Sequence, residues 1–162
     1  MEYALIIERW LHFTAGILWV GMLYYFNFVQ VPAMAAANSD KDGPGPAAIM
    51  KYIAPRALFW FRWASIVTWL AGAALLGPNF VNAFTLQPGF VDIGIGAWLG
   101  TIMLFNVWHF IWPNQKKLLG LKPASDEQKA RAKKIALFAS RTNVVLSIPL
   151  LYYMGAQGHG GF

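Results

Sequence analysis

The strongest constraint on this chain is where its charges are missing. Four stretches contain no Asp, Glu, Lys or Arg: Trp10 to Ser39, Trp63 to Val91, Ile93 to Gln115 and Thr142 to Phe162. Each exceeds the ~20 residues with which a helix crosses ~30 Å of hydrocarbon. Across all 162 residues only 12% are charged, against roughly 25% in ordinary soluble domains. A soluble fold, a disordered chain and a nucleic-acid module are thereby excluded, because the basic residues sit beside long apolar runs. Cysteine is absent, which removes disulfides, thiolate metal sites and covalent c-type haem.

Prolines trim the spans, since the ring blocks a helical hydrogen bond. Pro32 is expected to close the first helix, Pro55 and Pro78 to bracket the second, and Pro113 to end the third. The expected fold is all-α, a polytopic membrane protein built as a four-helix bundle. One membrane domain covers residues 1–162, with helices at about 4–31, 56–77, 91–112 and 127–155. Glu8 and Arg9 interrupt the first apolar run, and no basic segment precedes it, so it reads as a permanent helix rather than a cleaved signal. The fourth helix is expected to start at Ser125, where Gln128 completes a capping box and Asp126 and Glu127 favour the positive dipole end. Asn38–Pro46 reads as a surface loop.

Orientation follows from the basic residues. Lys116, Lys117, Lys122, Lys129, Arg131, Lys133 and Lys134 lie between the third and fourth helices. Lys41, Lys51 and Arg56 lie between the first and second, so ten of the thirteen Lys and Arg share one side. The positive-inside rule makes that side cytoplasmic and places both termini outside.

Polar groups at membrane depth are functional candidates by default. Glu8, His12, Gly16, Leu23, Asn27 and Gln30 fall on one face of the first helix. Two readings of His12 stand side by side. In one it is an axial ligand of a b-type haem, with Gly16 leaving room for the macrocycle and Glu8 accepting the hydrogen bond of the other ring nitrogen. In the other it is an interhelical histidine bonded to Glu8 or to a backbone carbonyl, with Gly16 serving close packing. By helical rise His109 lies about 26 Å from the outer end of its helix and His12 only about 12 Å from the end of its own, so the two do not share an iron. His159, beyond the fourth helix, lies on the same side as His12 and is the candidate second ligand, or else a terminal residue. His109 bonds Asn106 or serves a second haem. Arg62 and Arg141 pair with haem propionates or an anionic lipid, or snorkel to the interface. Gly96 and Gly100 form a GxxxG pattern that reads as close helix contact. No hydrolase triad, phosphate loop, dinucleotide fingerprint or HExxH is present.

Four blocks together carry a resemblance: RWLHFTAGILWVGMLYYFNFVQ (9–30), RALFWFRWASIVTWLAG (56–72), MLFNVWHFIWPNQKK (103–117) and RTNVVLSIPLLYYMG (141–155). They resemble the N-terminal membrane region of the bacterial membrane-bound urate oxidase (urate hydroxylase) family. Members of that family have a longer membrane region followed by a c-type cytochrome domain with a CxxCH site. The cysteine-free sequence here is expected to be a shortened stand-alone counterpart. The WLH histidine of the family matches His12, and a histidine after the last helix corresponds loosely to His159; His109 has no counterpart. The resemblance implies membrane redox chemistry in the bacterial inner membrane. It leaves two expectations: a haem b electron-transfer module that works with a separate cytochrome, or a non-catalytic accessory subunit packed against other membrane subunits of a respiratory complex. A transporter has less support, because neither inverted repeats nor broken helices are visible.

Overall fold

The computed structural model of the protein describes residues 2–158. Four long helices carry the chain: α1 (Tyr3–Ser39), α2 (Ile49–Phe84), α3 (Val91–Leu118) and α4 (Asp126–Ala156). All four are long and apolar enough to span a membrane, and no strand occurs among the described residues. Consecutive helices run antiparallel. His12 meets Thr68 and Phe26 meets Phe61 across α1–α2, while Gly100 meets Leu150 and Gly96 meets Met154 across α3–α4. The α1–α2 and α3–α4 connections therefore share one end of the bundle. That end carries ten of the thirteen lysines and arginines, in the two connections and the helix turns beside them, and is called the basic end below.

The prolines do not act as the sequence suggests. α1 passes Pro32 and continues to Ser39, α2 begins at Ile49 before Pro55, and α3 passes Pro113 and continues to Leu118. In each case the turn just before the proline is widened to a π-turn: Tyr25–Gln30, Ile49–Ile53 and Asn106–Ile111. The residue preceding each proline donates its N–H five residues back, Val31 to Phe26, Ala54 to Ile49 and Trp112 to Val107. A wider turn moves the pyrrolidine ring off the carbonyl it would otherwise strike, so the helix bends around the proline and goes on. At 37 residues α1 rises about 55 Å, well beyond the ~30 Å hydrocarbon layer. Pro78 does interrupt α2, in a tight 3₁₀ turn over Gly77–Asn79, after which five more helical residues follow.

Other expectations hold. Ser125 and Gln128 form a reciprocal capping box, with Ser125 N–H donating to Gln128 Oε1 at 3.0 Å and Gln128 N–H to Ser125 Oγ at 3.2 Å. The start of α4 at Asp126 follows directly. Gly96 and Gly100 are buried against α4, and a Cβ on Gly96 would stand 3.1 Å from Met154 Cε. Gly94 is tighter still, since a Cβ there would strike the Ala83 carbonyl and Leu86. The core is a layer of Trp19, Leu23, Phe26, Phe61, Met103, Val107 and Leu150 drawn from all four helices. Lipid tails are as apolar as these side chains, so the bundle is held by packing and interhelical hydrogen bonds rather than by hydrophobic exclusion.

Candidate functional site

The face predicted for α1 does turn inward. Leu23 is fully buried, and Glu8, His12, Gly16, Asn27 and Gln30 are half-buried, while Ile7, Trp10, Phe13 and Ile17 between them are exposed. The stripe serves two neighbours. Its first half meets α2 and its second half, past the start of the π-turn, meets α4.

His12 lies against α2. Its Nδ1 donates to the backbone carbonyl of Thr68 at 2.8 Å. A carbonyl only accepts, so Nδ1 carries a proton, and in the neutral ring Nε2 keeps its lone pair. The acceptor is therefore Thr68 and not Glu8. The reason lies one turn further along α2, at Gly72, where a Cβ would stand 2.9 Å from His12 Cε1. Without that Cβ, the second lone pair of the Thr68 carbonyl stays open beside its helical bond. Of the two roles open to Gly16, the contact here is the close-packing one. A Cβ there would meet Thr68 Cγ2 at 3.6 Å, so the space beside Gly16 is filled by helix contact.

The polar residues toward the basic end form a second group. Asn27, inside the first π-turn, donates to Leu23 O at 2.8 Å and to Ser140 Oγ on α4 at 2.7 Å. Asn106, the first residue of the α3 π-turn, donates to Asn143 Oδ1 at 2.8 Å, and the fully buried Asn143 donates to Met103 O at 3.0 Å. Tyr24 and Ser147 hydroxyls pair at 2.9 Å. Sequence reasoning placed Asn27, Asn106 and Asn143 at membrane depth but missed Ser140, Ser147 and Tyr24, whose types alone carry no signal. The expected Asn106–His109 bond is replaced by Asn106–Asn143, since the π-turn carries His109 to the exposed face, where it stacks on Phe105 at 4.6 Å.

The remaining predicted site residues are not brought together. Arg62 lies six residues, about 9 Å of helical rise, from Thr68 toward the basic end. It faces α3, where its guanidinium covers the Trp112 ring at 3.7 Å from the centroid. Arg141 is exposed on α4. His159 lies outside the described residues. Among those described, no three His, Cys, Asp or Glu residues cluster as a metal site.

Neither a curated protein nor a solved structure matches the chain. The family model described as urate oxidase N-terminal matches it over residues 1–86 and again over 79–160. One match covers the α1–α2 hairpin with His12, Arg62 and Gly72, and the other covers the α3–α4 hairpin with its amide contacts. Together they cover nearly the whole membrane bundle, and the chain belongs to the urate oxidase N-terminal family.

Proposed function

We propose that this bundle is the membrane redox module of a urate oxidase-related system and that His12 is one axial ligand of a b-type haem at the end opposite the basic loops. One observation carries the reading: the 2.8 Å bond from His12 Nδ1 to the Thr68 carbonyl. Ligating histidines typically donate their second ring N–H to a carbonyl or carboxylate, which fixes the tautomer and raises the basicity of the ligating nitrogen. A histidine with Nδ1–H so engaged and Nε2 free has the donor chemistry of such a ligand. A bound haem supplies one-electron exchange with a separate cytochrome. The chain's own part is to orient the imidazole through Thr68 and to seat it on Gly72. The second ligand is assigned to His159 or to a partner chain, and the basic end to the cytoplasmic face of a bacterial inner membrane.

The test is an absorption spectrum of protein purified after haem-replete expression. A b-type band that disappears in His12→Ala and persists in His109→Ala is expected, with both variants still in the membrane. Wild-type protein without the band overturns the reading. Reporter fusions after Lys122 and after residue 158 test orientation, with cytoplasmic signal expected only from the first.

His109 favours a second reading, the accessory subunit. An imidazole exposed on α3 at membrane depth is poorly served by lipid and well served by a neighbouring protein helix. A photo-crosslinker at position 109 that captures only lipid would remove this support.

A further inference from the structure

The seam between α2 and α3 is built differently from the other two between consecutive helices. The helices touch at few points along it, and between them runs an apolar groove of about 410 Å³ lined by Ile66, Trp69, Thr101, Leu104, Phe105 and Trp108. Trp69 bridges it on one side, donating from Nε1 to Thr101 Oγ1 at 2.9 Å. Toward the basic end the seam is crossed by Arg62 on Trp112, 3.7 Å from the ring centroid, and Lys116 Nζ stands 5.8 Å from the same ring.

These two cations lack a counterion. The ion pair found among the described residues is Lys129–Asp126, and neither Arg62 nor Lys116 donates a side-chain hydrogen bond there. The indole face offsets part of the desolvation of the half-buried guanidinium, but its N–H fork is left without an acceptor. A guanidinium with free N–H groups beside an ammonium matches a phosphate, which takes two parallel bonds from the fork and a point charge from the lysine. Spacing joins this pair to the groove. Arg62, Ile66 and Trp69 follow at i, i+4 and i+7 on α2, and Trp112, Trp108 and Leu104 follow the matching face of α3. The cations stand directly at the groove's basic-end mouth.

We infer that the basic end of the α2–α3 seam binds the phosphate of an anionic phospholipid between Arg62 and Lys116, with an acyl chain lying in the groove. Charge complementarity selects the anionic headgroup, and the collinear apolar groove selects a ligand that carries a hydrocarbon chain. This site lies on a different face of α2 from His12 and does not depend on the haem reading.

The test is native mass spectrometry of the full chain, released from mild detergent with equal amounts of dioleoyl phosphatidylglycerol and dioleoyl phosphatidylcholine. Wild type is expected to retain phosphatidylglycerol preferentially. Arg62→Gln and Lys116→Gln are each expected to lower that retention about fivefold, the effect of one basic group at an anionic lipid, with phosphatidylcholine unaffected. Arg62→Lys should keep most of the preference, and Lys133→Gln, elsewhere on the basic end, should keep all of it. Dihexanoyl phosphatidylglycerol, too short to fill the groove, should bind more weakly than the dioleoyl lipid. Equal retention of the two dioleoyl lipids by wild type, or no loss in either Gln variant, overturns the inference. So does displacement of the lipid by inorganic phosphate at equal concentration, which would make the site one for free phosphate. Should Arg62→Gln misfold by circular dichroism, Lys116→Gln at the helix end carries the decision.

Discussion

The two ends of the bundle solve the same problem in opposite ways. Toward the end away from the basic loops the backbone of the described residues carries no π-turn and breaks at the 3₁₀ turn Gly77–Asn79, and the helices approach through small residues: Gly16 and Gly72 between α1 and α2, and Gly94, Gly96 and Gly100 around α3. Toward the basic end it is irregular, with the three π-turns over Tyr25–Gln30, Ile49–Ile53 and Asn106–Ile111. There the contacts are amides and hydroxyls: Asn27–Ser140, Asn106–Asn143 and Tyr24–Ser147. Asn27 and Asn106 both sit inside a widened turn and both reach α4. A proline-driven π-turn rotates the residues that follow it, and where the apolar stripe loses phase with its neighbour, polar pairs hold the helices instead. His12 belongs to the close-packed end, so its hydrogen bond goes to a backbone carbonyl that a glycine uncovers. Arg62 belongs to the irregular end, where its guanidinium finds an aromatic face.

Substitutions at the two ends should break this contrast in order of size. Gly94→Val should have the largest effect. Its side chain would enter the Ala83 carbonyl, a backbone atom that cannot move aside, for a loss of about 3 kcal/mol, the upper range for overpacking. Reversible unfolding in bicelles would measure it, and a loss below that of the amide variants would show that close packing does not hold this end. Next comes Asn143→Leu, which removes the acceptor of the Asn106 amide and the donor to Met103 O. Losing both bonds, with the half-buried Asn106 amide left without its acceptor, should lower stability by about 2 kcal/mol, read by the same unfolding. Ser147→Ala, which strips one hydroxyl pair, should lose only about 0.6 kcal/mol, the average for hydrogen bonds between membrane helices.

Gly72→Ala is expected to have the smallest effect on stability and the most specific one on His12. The new methyl would displace a ring whose Cε1 would otherwise lie 2.9 Å away, so the Nδ1–Thr68 bond should lengthen or break at a loss of about 0.5 kcal/mol, the low end for one hydrogen bond. Side-chain nitrogen NMR of His12 should then show a mixture of tautomers in place of the Nδ1–H form. An unchanged His12 signal in Gly72→Ala would mean that the glycine does not seat the ring.

The four spans, their order and the start of α4 were legible because each rests on a local property: twenty or more uncharged residues, or a Ser-x-x-Gln pair whose bonds close within one turn. The inward face of α1 was legible too, since polar side chains at helical spacing turn away from lipid. The effect of Pro32, Pro55 and Pro113 was not. A proline reports the loss of one hydrogen bond in any sequence, and whether the helix stops or widens depends on what surrounds the next turn. Here the helix packs on its neighbours beyond Pro55 and Pro113, whereas Val31–Ser39, beyond Pro32, buries no side chain, and in all three cases the turn widens. The acceptor of His12 was equally out of reach. Glu8 is one turn away in the chain, but Thr68, 56 residues distant, is the one whose carbonyl Gly72 exposes to the ring. The sequence by itself determined which residues must avoid lipid, because that is a transfer energy each side chain carries alone. Which partner each of them meets was decided only by the tertiary structure, because a hydrogen bond between helices depends on the rotation and height of two backbones at once.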